Sequence, residues 1–377
     1  MVFLAYLLRR GVSFVGALLL LGLLLAVLLW SPPLRPVASA LEPEAAGGGL
    51  AAFPRPGRDN GRGIHWVPTE RQPPAAVAAF LPVLDDMGVR WLVLLASPGS
   101  IEYPRFLPGH AALLQGLRQR GIEPVLRIYA PVGPVPRRPF AQYLRYYRSL
   151  GVRYFQIFNE PNRPDEWQYP WELSPRRYVD YWLPLADLIA QAGGYPGVAA
   201  LDPQARAYYD LPFLRETLVA LREKAAPALL ERTWLAAHLY LPIEADSFRD
   251  HPQGLARHRL LDGVTRDVLG RPLPIVATEG VLASGDERWR HPEAAALQAR
   301  WVVEAYEEAA RGSGSLMAFA PWVLGNLVAG GHDRRWESAA FFRADTGPQP
   351  VVDAVLGLNG RSAVEAQAAL TSPTAIR

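Results

Sequence analysis

Two glutamates each close a short apolar run, a placement that could bring paired carboxylates to one site. Glu160 follows the apolar run Gln-Ile-Phe-Asn159 and precedes Pro161-Asn162, and Glu279 follows Ile-Val-Ala-Thr278 and precedes Gly280. Each closes a short apolar segment that reads as a strand. Paired carboxylates can divide acid/base and nucleophilic work. If one is to attack an anomeric carbon directly, the two must lie about 5–5.5 Å apart, whereas about 6.5–9.5 Å leaves room for an intervening water. The acid must hold a proton near neutral pH, so its pKa is expected to be raised by burial or by the other carboxylate. The nucleophile must stay ionised, and Arg127 and Tyr240 are candidate partners for it.

Taken alone, a glutamate at a strand end is usually a salt-bridging or loop-capping residue, and Asn and Pro are ordinary turn residues. The pair gains meaning from the elements between. From Gly61 onward, short apolar runs alternate with amphipathic stretches, the signature of βα units and a parallel sheet. The pattern predicts strands over Gly63–Val67, Arg90–Leu95, Glu123–Tyr129, Arg153–Phe158, Gly197–Leu201, Trp234–Tyr240, Pro274–Thr278 and Leu316–Trp322. It predicts helices over Pro73–Met87, Pro108–Arg120, Pro139–Leu150, Pro175–Gln191, Leu211–Leu230, Gly254–Leu269 and Pro292–Arg311, with a last one over Val351–Gly357. Eight such units imply a (β/α)8 TIM barrel over residues 61–377, with chemistry at the C-terminal strand ends. Glu160 and Glu279 then end the fourth and seventh strands, across the mouth from each other. An open doubly wound sheet is the alternative, but the first strand runs into Gly-Ile-His-Trp-Val-Pro, which offers no phosphate cradle.

These motifs resemble the clan A glycoside hydrolases, particularly the cellulase-like families. The resemblance rests on Phe158-Asn159-Glu160-Pro161-Asn162, Thr278-Glu279-Gly280, the pair His238-Leu239-Tyr240 on the sixth strand, and Trp322 ending the eighth. It implies a retaining β-glycosidase, with Glu160 as acid/base and Glu279 as nucleophile. It further implies that Asn159 binds the sugar 2-hydroxyl, Tyr240 orients Glu279, His238 supports the site and Trp322 is a sugar platform. One departure is the third strand, which ends Arg127-Ile128-Tyr129 where cellulase-like members often have a histidine.

Trp66 and Trp167 are further candidates for stacking on sugar. Trp167 lies in the aromatic, turn-rich stretch Pro164–Trp171, which could equally be a loop pinned to the barrel rim. Among the other histidines, the scattered His65, His110, His251, His291 and His332 show no metal-ligand spacing, so no metal or other cofactor is expected and exposed or hydrogen-bonding roles are. Ser97, Ser284 and Ser313 lack a nucleophile elbow. Absence of cysteine excludes disulfides and thiolate chemistry, and the single lysine, Lys224, falls on a helix, away from Schiff-base duty. The net charge of +3 comes without a basic run, so no nucleic-acid partner is expected.

The N-terminus carries the remaining signal. Gly11–Trp30 is apolar apart from Ser13 and follows Arg9 and Arg10. At about 1.5 Å per residue it spans a ~30 Å bilayer core. The arginines would stay inside, placing the rest outside the cytoplasm. Residues 1–30 read as a membrane anchor, or as a signal peptide cut after Ala38-Ser39-Ala40, and the run exceeds the usual apolar core of about 7–15 residues. Residues 31–60, rich in Pro, Ala and Gly, read as a flexible linker. The expectation is therefore a membrane-attached or secreted enzyme acting on carbohydrate. A tethered sugar-binding barrel without chemistry and a transglycosylase on the same site are the alternatives.

Overall fold

A computed structural model describes residues 50–70, 74–98, 107–241, 245, 247–282, 292–312, 314–325, 334–344 and 346–359. Eight strands form one sheet in sequence order, each parallel to its neighbours. They are β1 (Gly63–His65), β2 (Trp91–Ala96), β3 (Glu123–Ile128), β4 (Tyr154–Gln156), β5 (Tyr195–Val198), β6 (Trp234–Leu241), β7 (Ile275–Leu282) and β8 (Leu316–Phe319). The sheet closes on itself: the Phe319 amide donates to the Gly61 carbonyl at 2.9 Å and the His65 amide to the Pro321 carbonyl at 3.0 Å. The result is the expected (β/α)8 barrel.

Helices follow the strands: α1 (Pro74–Asp86), α2 (Leu107–Gln119), α3 (Arg137–Ser149), α4 (Pro175–Gln191), α5 (Asp210–Lys224), α6 (Pro227–Glu231), α7 (Arg257–Leu269), α8 (Pro292–Ala310), α9 (Arg334–Glu337) and α10 (Pro350–Gly357). Their apolar faces and the outward strand residues form one large buried cluster. Local chemistry sets the ends. The Ser174 hydroxyl accepts from the Arg177 amide at 3.3 Å ahead of Pro175, opening α4, and Gly270 takes a left-handed φ of 71° to end α7. The helix expected over Leu211–Leu230 divides into α5 and α6, because Pro227 biases Ala226 to extended backbone.

A second buried cluster fills the barrel itself, with Trp91, Val125, Tyr154, Tyr195, Trp234 and Val276 among its members. It explains why β5 begins two residues earlier than expected. The Tyr195 ring stacks on Tyr154 at 5.4 Å, and the Trp234 indole lies so close to Gly197 that a Cβ there would meet it at 2.5 Å.

The expected linker over 31–60 is corrected at its end. Phe53 enters the barrel interior, its ring 5.3 Å from Tyr195. Tyr154 Oη donates to the Pro54 carbonyl at 2.6 Å, Arg55 Nη2 to the Met317 carbonyl at 3.1 Å, and Trp91 Nε1 to Asp59 Oδ1 at 2.8 Å. Residues 50–60 thus floor the barrel, where open strand ends would leave aromatic rings wet. A Pro/Ala/Gly-rich composition conceals the one phenylalanine that does this. Among the described residues no helix is long and apolar enough to cross a membrane. The apolar run Gly11–Trp30 and the candidate cleavage site lie outside the described residues, as do Ser284, Ser313, His291 and His332.

Candidate active site

Strand β7 does not stop at Thr278 as expected but continues to Leu282, so Glu279 lies within it. Its ladder with β6 pairs Ala236 with Val276 and Ala237 with Ala277, then His238 with Glu279. Thr278 is the extra residue. Strand side chains alternate between faces, so a shift of one residue reverses what faces inward. Val276 belongs to the barrel interior. Simple alternation from it would turn Thr278 inward and Glu279 toward the helices. The bulge turns Glu279 inward, beside His238 and Tyr240 of β6.

Glu160 reaches the same space by another route. Strand β4 ends at Gln156, and the chain then takes positive φ at Phe158 (67°) and Glu160 (33°), a region that side chains other than glycine rarely adopt. The surrounding loop is tied down by Asn162, which is fully buried. Its Nδ2 donates to the carbonyls of Asp202 (2.8 Å) and Tyr208 (3.2 Å), and its Oδ1 accepts from the Asp202 amide at 3.0 Å. The final Asn of the motif is therefore a brace between the loops after β4 and β5.

The two carboxylates meet on one imidazole. His238 Nδ1 lies 2.7 Å from Glu160 Oε1, and its Nε2 lies 3.7 Å from Glu279 Oε1. An ionised carboxylate only accepts, so Nδ1 is the donor to Glu160. Glu279 is held on both oxygens: Arg127 Nη1 donates to Oε1, and Tyr240 Oη donates to Oε2 at 2.5 Å. Arg127 and Tyr240 thus give Glu279 a cation and a donor, the partners expected for it.

Glu160 departs from the expectation of a raised pKa. Burial pushes its carboxyl up, but the His238 hydrogen bond, with Arg163 and Arg127 nearby, outweighs burial and holds it below the ordinary carboxylate range. Arg163 Nη1 is 3.4 Å from both Glu160 Oε2 and Asp202 Oδ2, and its other nitrogens grip Asp165 at 2.6 and 3.1 Å. Glu166 and Asp202 move the opposite way: burial and the Glu160 charge raise both. Arg163, Glu166 and Asp202 were not singled out from sequence. No local pattern marks them, because they join the site through loops.

These groups line a cleft of about 640 Å³ at the barrel mouth, together with Asn159, Gln204, Tyr129 and Trp322. A lobe of about 250 Å³ adjoins it between Tyr129, Pro131, Asp165 and Glu166. Trp322 sits with its ring 4.2 Å from His65 and 5.0 Å from Trp336, another lining residue that sequence reasoning missed. His65, expected to be exposed or hydrogen-bonded, is instead fully buried under Trp322 with neither ring nitrogen partnered. Burial, with Arg127 and His238 beside it, drives its pKa well down, so the ring is neutral. His110 is buried too, hydrogen-bonded to the Glu70 carbonyl at 2.6 Å and to the Tyr147 hydroxyl at 2.8 Å.

The two other tryptophans are placed away from the cleft. Trp66 is wholly buried in the layer between strand and helix, edge-on to Phe80 of α1 at 6.0 Å, because its position turns it outward from the barrel. Trp167 is also buried. Its Nε1 donates to the Pro161 carbonyl at 2.8 Å, which pins its loop to the rim. That loop serves the cleft through Asp165 and Glu166 instead. Among the described residues no group of three or more His, Asp or Glu side chains is placed to hold a metal ion.

No protein-family model matches the sequence, and no curated protein matches it by sequence. Solved structures do match by fold. One is a family 39 glycoside hydrolase from the gut symbiont Bacteroides cellulosilyticus WH2, at a TM-score of 0.55 and 13% identity over 81% of this chain. This chain covers 63% of that protein's length. Another is a family 128 (subgroup II) endo-β-1,3-glucanase from Sorangium cellulosum, at a TM-score of 0.50 and 16% identity, covering 78% of this chain and 97% of that one. At such identity the likeness is one of fold, and the barrel described here is similar in fold to those of clan A glycoside hydrolases.

Proposed function

We propose that this chain is a retaining glycoside hydrolase acting on a β-linked carbohydrate. One observation carries the reading: a single imidazole, that of His238, reaches both Glu160 and Glu279. Two carboxylates brought to one cleft by a shared imidazole can divide acid/base and nucleophilic work on a single glycosidic bond.

In the first step a Glu279 oxygen bonds to the anomeric carbon as the glycosidic C–O bond breaks. The leaving oxygen takes its proton from Glu160. In the second step a water gives its proton to Glu160 and its oxygen to the anomeric carbon, and the ester to Glu279 breaks. Arg127 and Tyr240 hold Glu279 aligned through both of its oxygens. Glu160 is ionised in the free protein. Bound sugar that excludes water favours its protonated form, which supplies the proton. The apolar run Gly11–Trp30 supports an extracytoplasmic, membrane-attached enzyme.

The test is intact mass after incubation with 2-deoxy-2-fluoro glycosides of glucose, mannose and xylose bearing good leaving groups. The fluorine slows the second step, so a sugar should remain bonded to the protein, and peptide mapping should find it on Glu279. Glycan cleavage with inversion and no adduct would overturn the retaining mechanism. Glycan binding without cleavage would favour a sugar-binding barrel.

A further inference from the structure

Glu166 is a puzzle as a structural residue. It is half-buried, and burial together with the Glu160 charge pushes its pKa up. A carboxylate held close to another carboxylate costs stability, and groups placed so cluster at functional sites. The loop goes to some length to hold it there. The Val132 amide donates to the Glu166 carbonyl at 2.7 Å, the Gln168 amide returns to the Val132 carbonyl at 3.0 Å, and Trp167 anchors the next position through the Pro161 carbonyl. Among the described residues, the Glu166 side chain is hydrogen-bonded to Asn159, whose Nδ2 donates to Oε1 at 2.9 Å.

Asn159 shows the consequence. Its Oδ1 is buried with no hydrogen-bond partner, an arrangement an amide normally escapes by rotating end for end. Here rotation would set Oδ1 against the acceptor-only Glu166 carboxylate and leave the NH2 group orphaned. An amide nitrogen carries two hydrogens, and Glu166 takes one. The other remains for whatever enters the cleft, which Asn159 and Glu166 both line.

We infer that Glu166 is a positioning residue that locks the Asn159 amide so that its free N–H meets an acceptor oxygen on C2 of the reacting sugar. The inference rests on the glycosidase reading and deepens it. The substrate class is a sugar with an oxygen at C2, and a 2-deoxy sugar forfeits the contact. The C2 hydrogen bond strengthens as the ring approaches the oxocarbenium-like transition state, so its loss acts on kcat more than on KM.

The test compares 2,4-dinitrophenyl β-glucoside and β-mannoside with their shared 2-deoxy counterpart. In Glu166→Ala, kcat/KM for the 2-hydroxy substrate that wild type cleaves should fall about 10- to 100-fold, while the 2-deoxy substrate changes by less than about twofold. Glu166→Gln retains an acceptor oxygen and should restore most of the loss. Glu166→Ala added to Asn159→Ala should cost nothing further, as expected when one residue acts through the other. Equal losses on both substrates, or losses that multiply in the double variant, would show a merely structural Glu166 and overturn the inference alone. A wild type that neither cleaves any of the three nor forms an adduct with any of the 2-deoxy-2-fluoro glycosides would overturn the glycosidase reading and the inference with it.

Discussion

His238 lies directly across the β6–β7 ladder from Glu279, and the Thr278 bulge is what puts it there. The same ring touches Glu160 from its other nitrogen. The placement of Glu279 relative to Glu160 is thus decided by one extra residue in a strand. It makes the two glutamates unequal: Glu279 is clamped by Arg127 and Tyr240, whereas Glu160 is held by His238 and the partly exposed Arg163.

That inequality separates the two knockouts. Glu279→Ala should abolish turnover of every glycoside, a loss of about 10⁴-fold or more, since no bond to the sugar can form. Glu160→Ala should lose about 10²–10⁴-fold on substrates with poor leaving groups and far less on a dinitrophenyl glycoside, which needs no proton. Initial rates across a series of leaving groups check both. Equal loss at all leaving groups in the Glu160 variant would reject its role as acid.

Tyr240→Phe removes the 2.5 Å hydrogen bond to Glu279 and little else. A bond to a charged group is worth about 1.5–3 kcal/mol. The expected outcome is a fall in kcat of roughly 10- to 150-fold with the melting temperature nearly kept. Steady-state kinetics beside a thermal melt would reveal it.

Arg163→Gln tests the electrostatics of the acid. Removing this cation weakens the stabilisation of ionised Glu160, so its pKa should rise. The basic limb of kcat/KM should move to higher pH by about half a unit to one unit, after allowance for the solvent around Arg163. Stability follows the opposite logic. Glu160 is depressed in the folded protein, so it adds stability above the unfolded carboxylate pKa, and that stability is lost as pH falls through the folded value. The variant should therefore show a smaller gain in melting temperature between acid and neutral pH than wild type. An unmoved pH profile would mean Arg163 does not tune Glu160.

Trp66 and Trp322 should part company. Trp66→Ala empties a fully buried site against Phe80 and should cost about 3–5 kcal/mol of stability, with KM unchanged in the protein that remains folded. Trp322→Ala opens the cleft wall and should raise KM or lower kcat. Denaturant unfolding and kinetics on both variants distinguish a packing residue from a lining one.

Phe53 offers a check on the barrel floor. Phe53→Ala should destabilise by about 3–5 kcal/mol although the residue lies in a Pro/Ala/Gly-rich stretch that reads as linker. A melt unaffected by the change would return residues 50–60 to the status of linker.

The order of eight strands, most helix positions and the two glutamates with His238 and Tyr240 were legible in the sequence. Apolar periodicity reports which face of an element is buried, and strand ends in a barrel converge on one mouth. What the sequence could not decide was inward or outward at single positions. Trp66 reads like a cleft residue but turns to the helices, and Glu279 is brought inward by a bulge that no residue type announces. Nor could it foresee Arg163, Glu166, Asp202 and Trp336, which enter the site from loops whose paths depend on distant anchors such as Asn162 and Trp167. The expected rise in the Glu160 pKa failed for the same reason. A pKa is the sum of burial and of every charge nearby, and only the folded chain determines which charges those are.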